Sequence, residues 1–155
     1  MSEQAKIISI LEQYNIPAPL KYYIAAQSAH ETNNFTSSVY LDCKNGYGYG
    51  AAGLPCPGHE RYRIYQDSSQ STIEIINWIK RRQQEGRFPD NLATIISPDQ
   101  YATLLKNSGY YEDSIINYAN GIKRFLNLNI APIISISSIL FSVILSYILL
   151  KVINK

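Results

Sequence analysis

The chain has 155 residues, enough for a single domain, with 46% hydrophobic residues and a formal net charge of +2. All twelve acidic residues and twelve of the fourteen Lys/Arg precede Ile130, so that part is formally neutral and the surplus comes from Lys151 and Lys155. A neutral domain lacks the basic patch of a nucleic-acid binder, and the short run Lys80-Arg81-Arg82 reads as a solvated helix face.

Met1 to Lys6 is polar and the apolar run behind it is broken by Glu12, so no secretory signal is expected there. Lys6 to Tyr14 reads as a short amphipathic helix with Ile7, Ile8, Ile10 and Leu11 on its apolar side. Asn15 to Pro19 breaks it, and Pro19 suits the start of the next helix, where a missing N–H does no harm. That second helix runs to about Thr32. Leu20, Ile24, Gln27 and Glu31 share one face at spacings of four, three and four. Ala25, Ala26 and Ala29 permit close approach of neighbours, so most of this helix is expected to be buried.

Asn33 to Arg63 reads as loop. Five of the eight glycines, with Pro55 and Pro57, crowd into Asn45 to Gly58, with room for a short hairpin. Tyr62 to Tyr65 reads as a short strand or an extended entry to the next helix. Ser68 to Ser71 supplies a cap for a helix over Thr72 to Glu85, with Ile73, Ile76, Trp78 and Ile79 for the core. Leu92 to Ile96 suggests a short helix, Gln100 to Asn107 another that Gly109 stops, and Ser114 to Leu126 a last one. Ile130 to Leu150 is uncharged and long enough to cross a bilayer. Its serines are tolerable because they can bond back to the helix. The expected domains are therefore residues 1–126 and a C-terminal transmembrane anchor over 127–155.

Glu31 carries the chemistry. A carboxylate at the inner end of an apolar helix is costly to bury as a charge, so its pKa rises and it holds a proton near neutral pH. A general acid for glycosidic cleavage needs that property. The thirteen tyrosines offer flat apolar faces with polar tips, which suit a partly wet binding groove. His30 points to a different helix face and reads as a packed residue. Cys43 and Cys56 bracket the glycine-rich loop. A disulfide there is worth about 3 kcal/mol, and two free thiols are the slightly favoured alternative. Two cysteines and two histidines at irregular spacing give no metal site, and no cofactor is expected.

Ile24 to Thr32, with Ala26-Gln27-Ser28-Ala29-His30-Glu31 at its centre, resembles the "AQxAxES" signature of family 73 glycoside hydrolases. These are N-acetylglucosaminidase-type peptidoglycan hydrolases of bacteria and their phages. Asn45-Gly46-Tyr47-Gly48 stands where that family has "N-L-F-G", and Tyr62-Arg63-Ile64-Tyr65 is similar to its "F-R-x-Y". Asp67 to Ser71 approximates "S-x-x-E-S", and Gly109 to Asp113 with Tyr118-Ala119 resembles "G-Y-A-T-D…Y-A". The blocks keep the family's order over about residues 20 to 125.

The resemblance implies a mainly α, lysozyme-like helical domain with an irregular loop or hairpin lobe, followed by the single transmembrane helix. It implies Glu31 as catalytic acid with Tyr110 beside the scissile bond, and Gln27, Tyr47, Tyr65 and Tyr118 as substrate-binding residues. Asp113 and Tyr118 stand two residues further apart than in the family. The family's second glutamate has no counterpart between Asn45 and His59, where Asp42 and Glu60 merely flank the gap. The substrate's acetamido group can replace that carboxylate. The expected function is cleavage of the β-1,4 glycan of peptidoglycan. The alternatives are a lytic transglycosylase using the same glutamate, or a non-catalytic glycan-binding or structural membrane protein. The expected partners are glycan strands, the lipid bilayer and other virion membrane or capsid proteins, with no nucleic acid. A phage virion membrane or a host cell membrane is the expected location.

Overall fold

Helix α2 (Leu20–Glu31) is buried over most of its length. Leu20, Tyr23 and Ile24 through Ala29 are all buried, so only Lys21, Tyr22, His30 and Glu31 reach the surface. The small side chains Ala25, Ala26 and Ala29 have no exposed area, which is what lets neighbouring helices come close. The computed structural model describes residues 1–126. Met1–Phe125 form one unit.

Helix α1 (Glu3–Gln13) begins earlier than its periodicity predicts because Ser2 caps it, its Oγ accepting from the Ala5 N–H at 3.2 Å. It lays Gln4, Ile7 and Leu11 against α2 and α4 (Ser68–Gln84). Helix α4 also starts earlier than expected. Asp67 caps it, accepting from the N–H groups of Ser69 at 2.8 Å and Gln70 at 3.1 Å. Of its isoleucines, Ile75, Ile76 and Ile79 are fully buried, whereas Ile73, expected in the core, is half-buried. Each fully buried isoleucine stabilises the fold by about 1.5–3 kcal/mol. A 3-10 turn at Leu92–Thr94 leads into α5 (Pro98–Asn107), capped by Ser97, which packs on α2. The last described helix, α6, covers residues 115–126.

The stretch read as loop contains a helix, α3 (Ser38–Cys43). Ser37 caps it, and Lys44 ends it in the left-handed conformation at φ 54°. Beyond it, β1 (Pro55–Cys56) and β2 (His59–Arg63) form the small antiparallel hairpin, Cys56 pairing with His59. Gly58 turns the chain at φ +79°, a value that an L side chain rarely adopts. An isolated bridge between Gly50 and Tyr62 lengthens the hairpin.

Two expectations are corrected. Cys43 and Cys56 are joined in a disulfide, with Cα atoms 5.7 Å apart, rather than free. The link ties the end of α3 to the hairpin, a closeness that only tertiary packing creates. The second correction is to the fold class, expected as a lysozyme-like domain plus a transmembrane helix. The described residues form a mainly helical unit, and among them no helix is long and apolar enough to cross a membrane. Residues 130–150, where a span was expected, lie outside the described residues.

Candidate active site

Glu31 is the last residue of α2 and is half-buried. Burial raises its pKa, and a hydrogen bond from the Tyr118 hydroxyl to Oε1 opposes that rise without cancelling it. Its position adds to the effect, because the C-terminal end of a helix carries partial negative charge and disfavours a carboxylate. The result is a carboxyl group that keeps its proton to higher pH than an exposed glutamate does.

Helix α6 delivers Tyr118. It lies close to α2 because Gly121 has no side chain: a Cβ there would come within 2.3 Å of the His30 ring. His30 meets the Tyr118 ring edge-on at 5.2 Å, and Tyr111 stacks on it at 3.8 Å, nearly parallel at 7°. The Tyr111 hydroxyl is itself anchored on the Ala102 carbonyl at 2.9 Å. The phenol that touches Glu31 is therefore gripped from two sides. Below it, Gln27 is fully buried and its Oε1 accepts from the Tyr101 hydroxyl at 2.6 Å. The Tyr118 phenol is raised well above its ordinary pKa by burial, then by the charge and hydrogen bond of Glu31, while the Gln27 side chain acts the other way.

Opposite Tyr118, a tight turn brings backbone up to the carboxylate. Gly48 adopts φ +66°, and a Cβ on it would stand 3.4 Å from Glu31 Oε2. Asn45 holds this turn from inside. Its Nδ2 donates to the carbonyls of Tyr49 at 2.7 Å and Arg63 at 3.2 Å, and its Oδ1 accepts from the Tyr49 N–H at 3.0 Å. Gly46 is clamped between α2 and α4: Ser28 Oγ donates to its carbonyl at 2.8 Å, and its N–H donates to Ser71 Oγ at 3.3 Å. A Cβ at Gly46 would come within 2.8 Å of Ser28 Oγ. Asparagine and both glycines of this turn thus have physical reasons to be what they are.

From Gly48 a groove of about 450 Å³ opens along the outer face of the turn. Gly50, Ala51 and Ala52 form its floor, Trp78 and Tyr110 an aromatic wall, and Arg63, Glu74 and Arg81 its charged rim. Of Glu31, Gly48 and Tyr118, only Gly48 lines this groove, and none of the three lines a larger cavity of about 640 Å³ beside Phe88, Ile95 and Leu104.

The structure sorts the expected site residues. Glu31, Tyr118 and Gln27 come together as one cluster. Tyr110 is close by, with its ring 6.5 Å from that of Tyr118, but its hydroxyl donates to the Tyr47 carbonyl at 2.5 Å. It closes the turn against the groove wall rather than bonding to Glu31. Tyr47 and Tyr65, expected to bind substrate, have buried side chains. The Tyr47 ring is 2% exposed, with its hydroxyl beside Thr72 and Ser28, and only its backbone has a share in the groove. Tyr65 is also buried, packed under the Arg63 guanidinium at 5.5 Å, and burial lifts its pKa to about 12. Asp42 and Glu60 lie on the hairpin side, Asp42 with His59 at 3.0 Å and Glu60 accepting from the Gly58 N–H at 3.2 Å.

Glu74 and Arg81 were missed. With Trp78 they follow one another at spacings of four and three on α4, a single helix face that periodicity alone could have picked out. Among the described residues no cluster of His, Cys, Asp and Glu could hold a metal ion. Compared with known proteins, the chain matches no family model, no curated protein and no solved structure.

Proposed function

We propose that this protein is a glycosidase that cuts the β-1,4 glycan backbone of peptidoglycan, with Glu31 as the general acid. The observation that carries the reading is the Glu31 carboxyl itself. It is half-buried at the end of α2, raised in pKa by that burial, and oriented by a clamped tyrosine. Gly48 has no Cβ to stand beside its second oxygen, where one would lie 3.4 Å away. The ordered sequence blocks that resemble family 73 glycoside hydrolases give further support, and the Asn45–Gly48 block forms the turn against the acid.

In this mechanism the Glu31 O–H gives its proton to the glycosidic oxygen as the bond from that oxygen to the anomeric carbon breaks. The groove's own carboxylate, Glu74, is held by Arg81 at 3.3 Å and by Arg63 at 3.9 Å, which fits a counter-ion better than a nucleophile. The acetamido oxygen of the substrate therefore attacks the anomeric carbon from the opposite face. Water then opens the resulting ring and returns a proton to the Glu31 carboxylate. If a sugar hydroxyl opens that ring instead of water, the enzyme is a lytic transglycosylase, and the same engaged Glu74 is compatible with it.

Purified peptidoglycan incubated with the protein, followed by mass analysis of the fragments, tests the proposal. New reducing ends mean hydrolysis and anhydro ends mean transglycosylation. No release of fragments at any pH, from protein shown to be folded, would overturn both.

A further inference from the structure

Gln27 lies one helical turn before Glu31 on the same face of α2, yet its side chain is fully buried. Its surroundings are phenols. The hydroxyl of Tyr101, itself fully buried on α5, donates to Gln27 Oε1 at 2.6 Å. That bond decides which way round the amide sits: the oxygen is taken by Tyr101, so Nε2 is the end left for Tyr118. Nε2 makes no hydrogen bond of standard geometry among the described residues, but Gln27 lowers the pKa of the Tyr118 phenol, as a donor does and an acceptor does not.

A phenol has one O–H to give and an oxygen that accepts. With the Gln27 amide N–H turned to that oxygen, the Tyr118 O–H is the part left to face Glu31, where it donates to Oε1. A neutral carboxyl whose Oε1 accepts a bond carries its own proton on Oε2. That second oxygen is the one toward Gly48, and Gly48 lines the groove. The titratable groups that sense the Glu31 charge are the phenols of Tyr101, Tyr110 and Tyr118. Tyr110 gives its O–H to the Tyr47 carbonyl, which leaves Tyr118 as the phenol bonded to the carboxyl.

We propose that Tyr101 and Gln27 are positioning residues that act through Tyr118 to fix the proton of Glu31 on the oxygen facing the Gly48 turn. The proposal rests on the glycosidase reading for what that proton is used for. It goes beyond that reading by tracing the placement of the proton to two core residues. No proton passes along the relay. The Oε2 proton goes to the glycosidic oxygen, and as it leaves, Oε1 gains charge and its bond from Tyr118 strengthens. The relay therefore favours the transfer rather than the binding of glycan.

The test is a carbon NMR titration of the Glu31 carboxyl in the full chain, its signal assigned by its absence from Glu31→Gln. Tyr101→Phe removes one hydroxyl and frees the amide to turn, so the Tyr118 O–H is shared between Gln27 and Glu31. The Glu31 pKa is expected to rise, in the same direction as in Tyr118→Phe. In the Tyr118→Phe background the Tyr101 substitution should add nothing, because the link is already cut. Gln27→Met makes the same comparison if Tyr101→Phe does not fold. An unchanged or lowered Glu31 pKa in the single variant, or an undiminished shift in the double variant, overturns the relay. In cleavage assays Tyr101→Phe should lower kcat by about threefold to tenfold at unchanged KM, the scale of one hydrogen bond. A raised KM with kcat intact also overturns it. A coupled pKa shift in a protein that cleaves nothing keeps the relay and removes the glycosidase. Cleavage alongside uncoupled shifts keeps the glycosidase and removes the relay.

Discussion

Two glutamates in this fold each accept a hydrogen bond from a tyrosine, and their carboxyl groups are pushed in opposite directions. Glu3 sits in the first turn of α1, where the partial positive charge of a helix start favours an anion. Burial raises its pKa, but hydrogen bonds from Tyr40 at 2.7 Å and Ser68 at 2.9 Å, with the charges of Lys6 and Lys44, outweigh burial and hold it below the ordinary value. Glu31 ends α2, is more deeply enclosed, and has one hydroxyl to oppose the burial, so it stays above. The comparison teaches that a tyrosine contact by itself does not make a carboxylate an acid catalyst. What decides is how many partners the charge has and at which helix end it stands. Glu3 is equipped to stay ionised and join three helices, whereas Glu31 is equipped to keep its proton to higher pH.

Substituting the two glutamates is the most direct way to break that comparison. Glu31→Gln should lower peptidoglycan cleavage by on the order of 10²-fold or more, since the amide cannot donate the proton. The thermal midpoint of this variant should stay level or rise at neutral pH, because an unfavourably buried carboxyl is gone. Turnover within tenfold of wild type would show that the acid lies elsewhere.

The next largest effect concerns the lobe that faces Glu31 rather than the acid itself. Reducing the Cys43–Cys56 disulfide, or replacing both cysteines by alanine, should cost about 3 kcal/mol in the unfolding free energy. Denaturant titration with and without reductant checks this, and identical midpoints would mean that packing alone holds the hairpin.

pH sharpens the contrast between the two carboxyls. Glu3 is lowered in the folded state, so its contribution is complete above its ordinary value and fades as pH falls through the lowered one. Wild-type protein should therefore lose thermal stability on acidification more steeply than Glu3→Gln does. Glu31 is raised, so its contribution is complete below its ordinary value and is lost as pH climbs through the raised one. Melting curves of both variants across the acidic range separate these opposite slopes, and parallel curves would show that neither group is linked to folding.

The smallest effect expected is on the pH profile of Tyr118→Phe. Its hydroxyl lowers the Glu31 pKa, so removing it should move the alkaline limb of activity to higher pH, with some loss of turnover. A limb that moves to lower pH would contradict the hydrogen bond's assigned direction.

Much of this was legible in the sequence where local rules govern. Apolar periodicity and caps located α1, α2, α4, α5 and α6 to within a few residues, since each has a one-sided apolar face or a nearly all-buried one. The small helix α3 escaped because six residues are too few for periodicity, and it is held by Ser37 and the disulfide. Glu31 stood out because a charge at the end of an alanine-rich helix is locally anomalous. The burial of Tyr47 and Tyr65 was not legible, for the opposite reason. A tyrosine looks the same in sequence whether its hydroxyl faces a groove or the core, and here the core took both. Of the groove's charged residues, Glu74 and Arg81 share a helix face that periodicity could have found, whereas only the fold brings Arg63, from a strand, beside them.

The clasp made by Asn45 has a consequence for how long the protein remains chemically intact. An asparagine followed by glycine is the pair most prone to spontaneous deamidation, in which the glycine nitrogen attacks the side-chain carbonyl to form a succinimide. At Asn45 both reacting groups are engaged: the amide holds Tyr49 and Arg63, and the Gly46 N–H is bonded to Ser71. Ring closure there has to break those bonds first. The turn beside Glu31 is thus protected against ageing by the same contacts that shape it, although its dipeptide is the one that decays fastest in an open chain.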